Sequence, residues 1–362
     1  MDILYKRLLL VFLVILAGHA LRAQEKVSKS INNIYDMTGA GKLHIENKYG
    51  DITVEGWDKN SVEIAVEITV SHKKRENAEN LLERITPNIR AVDGFITIET
   101  EIAEKSSGFF SRYFNKANPF DFDRSNVQID YTIRLPSPAE LQITNKFGDV
   151  IINGWEGTLE TDMEHGDLWI NNDIDRADLS VKYGKLRAKM ITDATISVKN
   201  GSLALSRSND LRLSCSGSDI KIGDIQSFEL ISSKDEIDIE NVKSLYGDLR
   251  FSTLHVGQLA DAVNLSLKIT DFSVDHFYNP AAVIVLDQES SEIRLNISNL
   301  AFDLNVSLEE GLFRLPKSFK NINTKIVDSR KRIREISATY GNKGIGKMTI
   351  NGVKGVILLE EL

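Results

Sequence analysis

The chain has 362 residues but a single cysteine, Cys215, and only six prolines. One thiol can neither close an internal disulfide nor build a cysteine-rich metal site. A fold of this size then has to be held by its apolar core. Six scattered prolines leave no Pro-rich linker to divide the chain. Histidine is also scarce. Beyond His19 there are His44, His72, His165, His255 and His276, no two of them close in sequence. Phosphate loop, dinucleotide fingerprint, zincin helix and nucleophile elbow are all missing. The glycines at Gly341, Gly344 and Gly346 lack the helix a phosphate loop needs. Net charge is −8, which argues against nucleic acid and anionic membrane surfaces as default partners.

Long apolar runs are missing too, save one. Leu8 to Leu16 follows Lys6 and Arg7 and leads to Ala23-Gln24. This order reads as a signal peptide over residues 1–23, too short to span a bilayer comfortably. Its removal leaves 41 basic against 51 acidic residues, or −10. The expectation is an exported chain, in the periplasm or on the outer surface, with no integral membrane segment after cleavage.

What the sequence does have is repetition. Leu43 to Trp57 and Leu141 to Trp155 align without a gap, identical at eight of fifteen positions. The shared positions include Asn47 and Asn145, Gly50 and Gly148, Asp51 and Asp149, and Trp57 and Trp155. A shorter echo follows at a nearly constant interval: Gly166-Asp167, Gly184-Lys185, Gly201-Ser202, Ser218-Asp219 and Asp235-Glu236. Between these turns apolar and polar residues alternate, as in Leu211-Arg-Leu213-Ser-Cys215. That alternation marks half-buried strands. The intervening glycine is expected to supply the positive φ of a tight turn.

A unit of this length cannot bury its apolar face alone, so neighbouring units must stack. The expected fold is all-β: a right-handed parallel β-helix or solenoid of about 18–20 residues per rung. One short helix is expected near 73–86, ended by Pro87. The expected organisation is an N-terminal β region over 24–138, the solenoid over 139–315, and C-terminal rungs or a cap over 316–362. Segment 103–126 is irregular and aromatic, with Phe109, Phe110, Tyr113, Phe114, Phe120 and Phe122. It reads either as a flap over a sheet edge or as a partner-binding loop.

The repeated element resembles the bacterial putative-adhesin β-solenoid family, a domain of unknown function. Its hallmark is apolar-x-apolar-x-Asn-x-aromatic-Gly-Asp-apolar, matched by Leu43–Ile52 and Leu141–Val150. The Tyr131 to Pro136 and Gly352 to Leu359 segments are also similar. The resemblance covers most of the mature chain and implies a β-solenoid in an exported, Bacteroidota-type protein. It brings no catalytic residues.

Each candidate for chemistry falls on a slot that the repeat already explains. Asp149 and Asp167 recur at one turn, but the position varies to Lys185 and Ser202. His165 takes the slot of Tyr49, Phe147 and Tyr183. Cys215 alternates with Leu211 and Leu213. Trp57 and Trp155 share a corner of the repeat. Catalytic, cofactor-binding and metal residues are therefore all expected to be none, and cofactors none. The expected function is a non-enzymatic, adhesin-like cell-envelope or surface scaffold, its partner an unknown envelope protein or surface glycan. Two alternatives stay open. One is a carbohydrate-active β-helix enzyme, a polysaccharide lyase or hydrolase, which needs carboxylates converging on adjacent rungs. The other is an envelope-stress or signalling component acting through 103–126.

Overall fold

A computed structural model describes residues 25–102, 126–341 and 345–361. The expected signal peptide and Phe109, Phe110, Tyr113, Phe114, Phe120 and Phe122 lie outside the described residues. The described residues are all-β apart from one short helix, and among them 25 strands join in one mostly parallel hydrogen-bonded network.

The centre of the network is five long strands: β11 (Leu168–Lys182), β12 (Lys185–Lys199), β13 (Ser202–Ser216), β14 (Asp219–Ser233) and β15 (Glu236–Arg250). Each pairs with the next in parallel, so that Leu179 lies on Ile196, Ile196 on Leu213, and Leu213 on Leu230. The repeat read from the turns is thus the register of the ladder. Inward positions stack like on like. Leu186, Leu203, Ile220 and Ile237 form one column, and Leu211, Phe228 and Leu245 another. All are buried. Leu and Ile suit these slots because a strand exposes alternate side chains to one face, and the core face is mostly apolar. The interval lengthens further on. β16 (Thr253–Lys268) pairs with β18 (Val283–Glu289), setting Ala262 beside Val283. β17 (Asp271–Phe277) pairs with β19 (Glu292–Asn296), setting Asp271 beside Glu292.

The duplicated segments lie directly on each other. β2 (Lys42–Asn47) pairs with β8 (Glu140–Lys146), placing Leu43 on Leu141 and Asn47 on Asn145. β3 (Ile52–Trp57) pairs with β9 (Val150–Asn153) in the same register. The intervening chain does not interrupt this pairing: its β6 (Phe95–Ile102) and β7 (Val127–Pro136) lie parallel on the other edges of β2 and β3 and add a layer to the stack. β10 (Thr158–Glu164) then links β8 to β11. The same stretch carries β4 (Ser61–His72) and β5 (Ile85–Val92), and β1 (Glu25–Asp36) closes this end antiparallel to β4.

The helix is α1 (Arg75–Glu83), resting on β1 and β4 with Ala78 buried. Pro87 does not end it. The helix stops at Glu83, and Pro87 lies within β5, a strand that the sequence pattern does not show. Among the described residues β5 pairs with β6 alone, antiparallel. Proline is tolerated there because an edge strand can spare an N–H.

The C-terminal order also departs from chain order. β24 (Gly346–Val353) lies between β18 and β20 (Phe302–Glu309), and β25 (Val356–Glu360) between β19 and β21 (Leu312–Arg314). The final segment is an inner layer of the stack. The outermost layer is a hairpin, β22 (Lys320–Asp328) and β23 (Ile333–Tyr340), with β23 antiparallel to β20. Phe302, Phe319 and Tyr340 pack together beneath it, with ring centroids 5.0–5.9 Å apart. Burial pushes the Tyr340 hydroxyl up to about 12, with Glu361 adding to the shift.

Candidate binding surface

The turn residues singled out by the repeat come together on one edge of the stack. Phe147, His165 and Tyr183 each have φ 58°. Their rings form a ladder with Tyr49: 5.9 Å from Tyr49 to Phe147, 5.0 Å to His165 and 4.8 Å to Tyr183, with planes within 13° of parallel. At these three turns the positive φ expected of glycine belongs to the residue before it, whereas Gly50 has its own, at 133°. Gly148, Gly166 and Gly184 serve close approach instead. A Cβ on Gly166 would lie 1.9 Å from the Gly148 carbonyl oxygen, and one on Gly184 1.9 Å from that of Gly166.

Asp51, Asp149 and Asp167 form a second ladder beside the rings. The Asp130 carboxylate accepts the Asp51 N–H at 2.9 Å, Asp51 that of Asp149 at 2.8 Å, and Asp149 that of Asp167 at 2.8 Å. Asp167 accepts the Lys185 N–H at 2.8 Å. Asp130 carries no signal in the sequence. It comes from β7, outside the repeated turns, and only the fold brings it to the head of the series. Desolvation raises its pKa, and the Asp51 charge adds to the effect.

A third series runs inside. The Asn47 amide donates to the carbonyls of Gly50 (3.2 Å) and Ile129 (3.1 Å). The Asn145 amide donates to those of Gly148 (2.9 Å) and Gly50 (3.2 Å). The two asparagines pin the turn of each copy to its neighbour. The tryptophans differ despite their matching positions. Trp155 is fully buried, while Trp57 is half-buried and donates its Nε1–H to the Ser61 carbonyl at 2.7 Å.

From the sixth of these turns onward a polar side chain replaces the glycine. Asp235 is buried, and its carboxylate accepts the N–H groups of Ser218 and Ser233 and the Ser232 hydroxyl, at 2.7–2.8 Å. Cys215 lies on the same inner column as Ser232. Burial drives its thiol pKa far up, and Asp235 pushes it further, which favours the neutral thiol over the thiolate.

The aromatic ladder presents ring edges, because each inner ring covers its neighbours' faces. Flat stacking of a sugar on these rings is open only at the two ends of the ladder. Beside the ladder Lys146 pairs with Glu164 at 3.0 Å, and Arg187 lies over the Trp169 ring at 5.1 Å. His255 faces Ser273 at 3.1 Å and Asp275 at 3.4 Å on the outer face of the sheet. Among the described residues no three His, Cys, Asp or Glu side chains are placed to share a metal ion.

One groove gathers carboxylates. It has a volume of about 540 Å³ and runs across β10 to β14, lined by Glu160, Asp178, Asp193, Asp210 and Glu229, with Arg176 and Arg212 between them. Arg212 pairs with Glu229 at 3.4 Å. These residues sit mid-strand rather than at the turns, but they keep the interval of the turns: Glu160 and Asp178 are 18 residues apart, Asp193 and Asp210 are 17 apart, and that interval is the signal that finds them.

No family model matches the chain, and no curated protein matches it. Solved structures do. A putative cell adhesion protein from Clostridium sporogenes is 12% identical, covering 93% of this chain and 100% of its own, with a TM-score of 0.20. A putative adhesin from Parabacteroides distasonis is 11% identical, covering 91% and 97%, with a TM-score of 0.28. A putative lipid binding protein from the same organism is 14% identical, covering 92% and 97%, with a TM-score of 0.27. The architecture rests on the strand register described above, and the structures to which this chain is similar include putative adhesins from Bacteroidota and Clostridium.

Proposed function

We propose that the chain is an exported, non-enzymatic scaffold of the cell envelope, a right-handed parallel β-solenoid whose outer faces bind or assemble with surface partners. The observation that carries this reading is the use made of the repeated polar residues. The carboxylates of Asp51, Asp149 and Asp167 each hold the backbone of the next rung. These groups serve stacking, which is what a rigid spacer requires. Among the described residues no helix is long and apolar enough to cross a membrane. Residues 1–23 are proposed as the export signal, and the 103–126 segment as a partner-binding loop.

A second reading, action on a polysaccharide, is favoured by the groove. Its stacked Asp193 and Asp210 place carboxylates on adjacent strands. One experiment separates the two. The protein is incubated with polysaccharide from its own envelope, and capture and new chain ends are measured together. Capture without new ends supports the scaffold. New ends that disappear in Asp193→Asn/Asp210→Asn establish the second reading and overturn the first.

A further inference from the structure

The net charge of −8 hides a strongly basic end. Residues 316–341 hold seven lysines and arginines against Asp328 and Glu335, a net charge of +5 for the segment, with Glu309, Glu310 and Glu361 beside it. This stretch is the outermost layer of the stack, β22 and β23. β22 is exposed along nearly its whole length, including Ile322 (54%), Ile326 (71%) and Val327 (49%). Asp328 caps the turn that follows, accepting the N–H groups of Arg330 at 2.8 Å and Lys331 at 3.1 Å. Exposed isoleucines on a strand within an excess of cations are costly for a surface that meets only water.

We propose that this hairpin docks the protein on an anionic lipid surface. Charge complementarity selects the partner's sign, and the exposed aliphatic side chains require that it also offer an apolar layer. A bilayer interface with anionic headgroups supplies both. A second copy of the chain fits poorly, because pairing two β22 edges sets one basic cluster against another. Addition of an acidic strand from another protein also fits poorly. Bulges between Lys320 and Asn323 and between Ile326 and Asp328 break the edge into a short regular stretch. Bulges and lysines are the devices that keep an edge from being extended. A lipid surface asks for no strand register. The proposal does not depend on the scaffold reading, since a scaffold binding only glycans would leave this hairpin idle.

The test is co-sedimentation of the processed protein, recovered from its producing cell, with phosphatidylglycerol/phosphatidylethanolamine vesicles and with neutral phosphatidylcholine vesicles. Two variants are handled identically: Lys320→Glu/Arg330→Glu/Lys331→Glu, and Ile322→Ser/Ile326→Ser. Each cation at such a surface is worth about a fivefold change in partition. The expected result is binding to anionic vesicles only, lost at about 1 M salt, where screening shortens to about 3 Å. The charge variant is expected to bind about a hundredfold less, and the apolar variant about tenfold less. Thermal unfolding checks that both variants fold. If the charge variant does not fold, the apolar variant and the parent's salt series decide. Absent binding, equal binding to neutral vesicles, or undiminished binding by folded variants overturns the proposal. Binding to an acidic peptide in place of vesicles also overturns it, in favour of strand addition.

Discussion

The Asp149 carboxylate accepts the backbone N–H of Asp167 at 2.8 Å, and so ties two successive turns together. Aspartate here serves the rung beyond its own rather than its own turn. Asp149→Ala would leave the Asp167 N–H to water and should cost about 1 kcal/mol. Asp149→Asn keeps an oxygen in place and should cost less than half of that. Urea melts of the two variants check the order. Equal losses would mean that the carboxylate acts by charge alone.

Asp130 heads the same series under different conditions. Burial raises its pKa, and the charges of Asp51 and Glu67 add to the effect. An acid with a raised folded-state pKa contributes stability that is present below its unfolded value and lost as pH rises through the folded value. At neutral pH the ionised Asp130 therefore opposes the fold. Asp130→Asn keeps the acceptor for the Asp51 N–H and removes the charge. The variant should melt at a higher temperature than the parent at pH 7. The difference should vanish below about pH 4, the ordinary range of an aspartate. A melting series from pH 3 to 8 tests this, and an unchanged gap at both ends would refute it.

Gly166 sets the spacing of the turns. With the Gly148 carbonyl oxygen 1.9 Å from a would-be Cβ, Gly166→Ala has to push two backbone turns apart. Overpacking of this kind costs about 3 kcal/mol or more where backbone is the obstacle. His165→Gly should cost less. It deletes two ring contacts worth about 1 kcal/mol each, and glycine relieves the residue with φ 58°. Chemical denaturation of the two variants ranks them, and a milder Gly166→Ala would show that the turns are not in contact.

That pair of positions shows what the sequence can and cannot convey. The spacing of Gly148, Gly166 and Gly184 conveys the register because each turn stacks on one of the same kind. It does not convey the reason for glycine, since the obstructing carbonyl belongs to another rung. Pro87 reads as a stop because its place on an edge strand depends on β6 alone covering β5. The seating of Lys347 beside Val283 depends on a partner distant in the chain, with no repeat to announce it. The exposure of the basic hairpin follows from its outermost place, and its bulges hide the alternation that would mark β22 as a strand. The carboxylate groove becomes legible only when the interval of the turns is carried into mid-strand, where Asp193 and Asp210 stand 17 residues apart. Asp193 and Asp210 look like ordinary outward residues until the ladder sets one above the other.

Thr161 offers a test of the core itself. It is 3% exposed and lies between Ile143 and Leu179 on an inner column of aliphatic residues. Its hydroxyl is buried without a hydrogen-bond partner. Leaving such a group dry costs about 1–3 kcal/mol. Valine has the same branched shape and returns a methyl group to a column that wants one. Thr161→Val should therefore stabilise the protein by about 1 kcal/mol, against the usual direction of core substitutions. Thr161→Ser keeps the orphan hydroxyl and loses the methyl, so it should destabilise by about 1 kcal/mol. Equilibrium unfolding of both variants gives the two signs. If Thr161→Val is destabilising by a similar amount, the hydroxyl is hydrogen-bonded after all, and an ordered water inside the stack is the partner to look for.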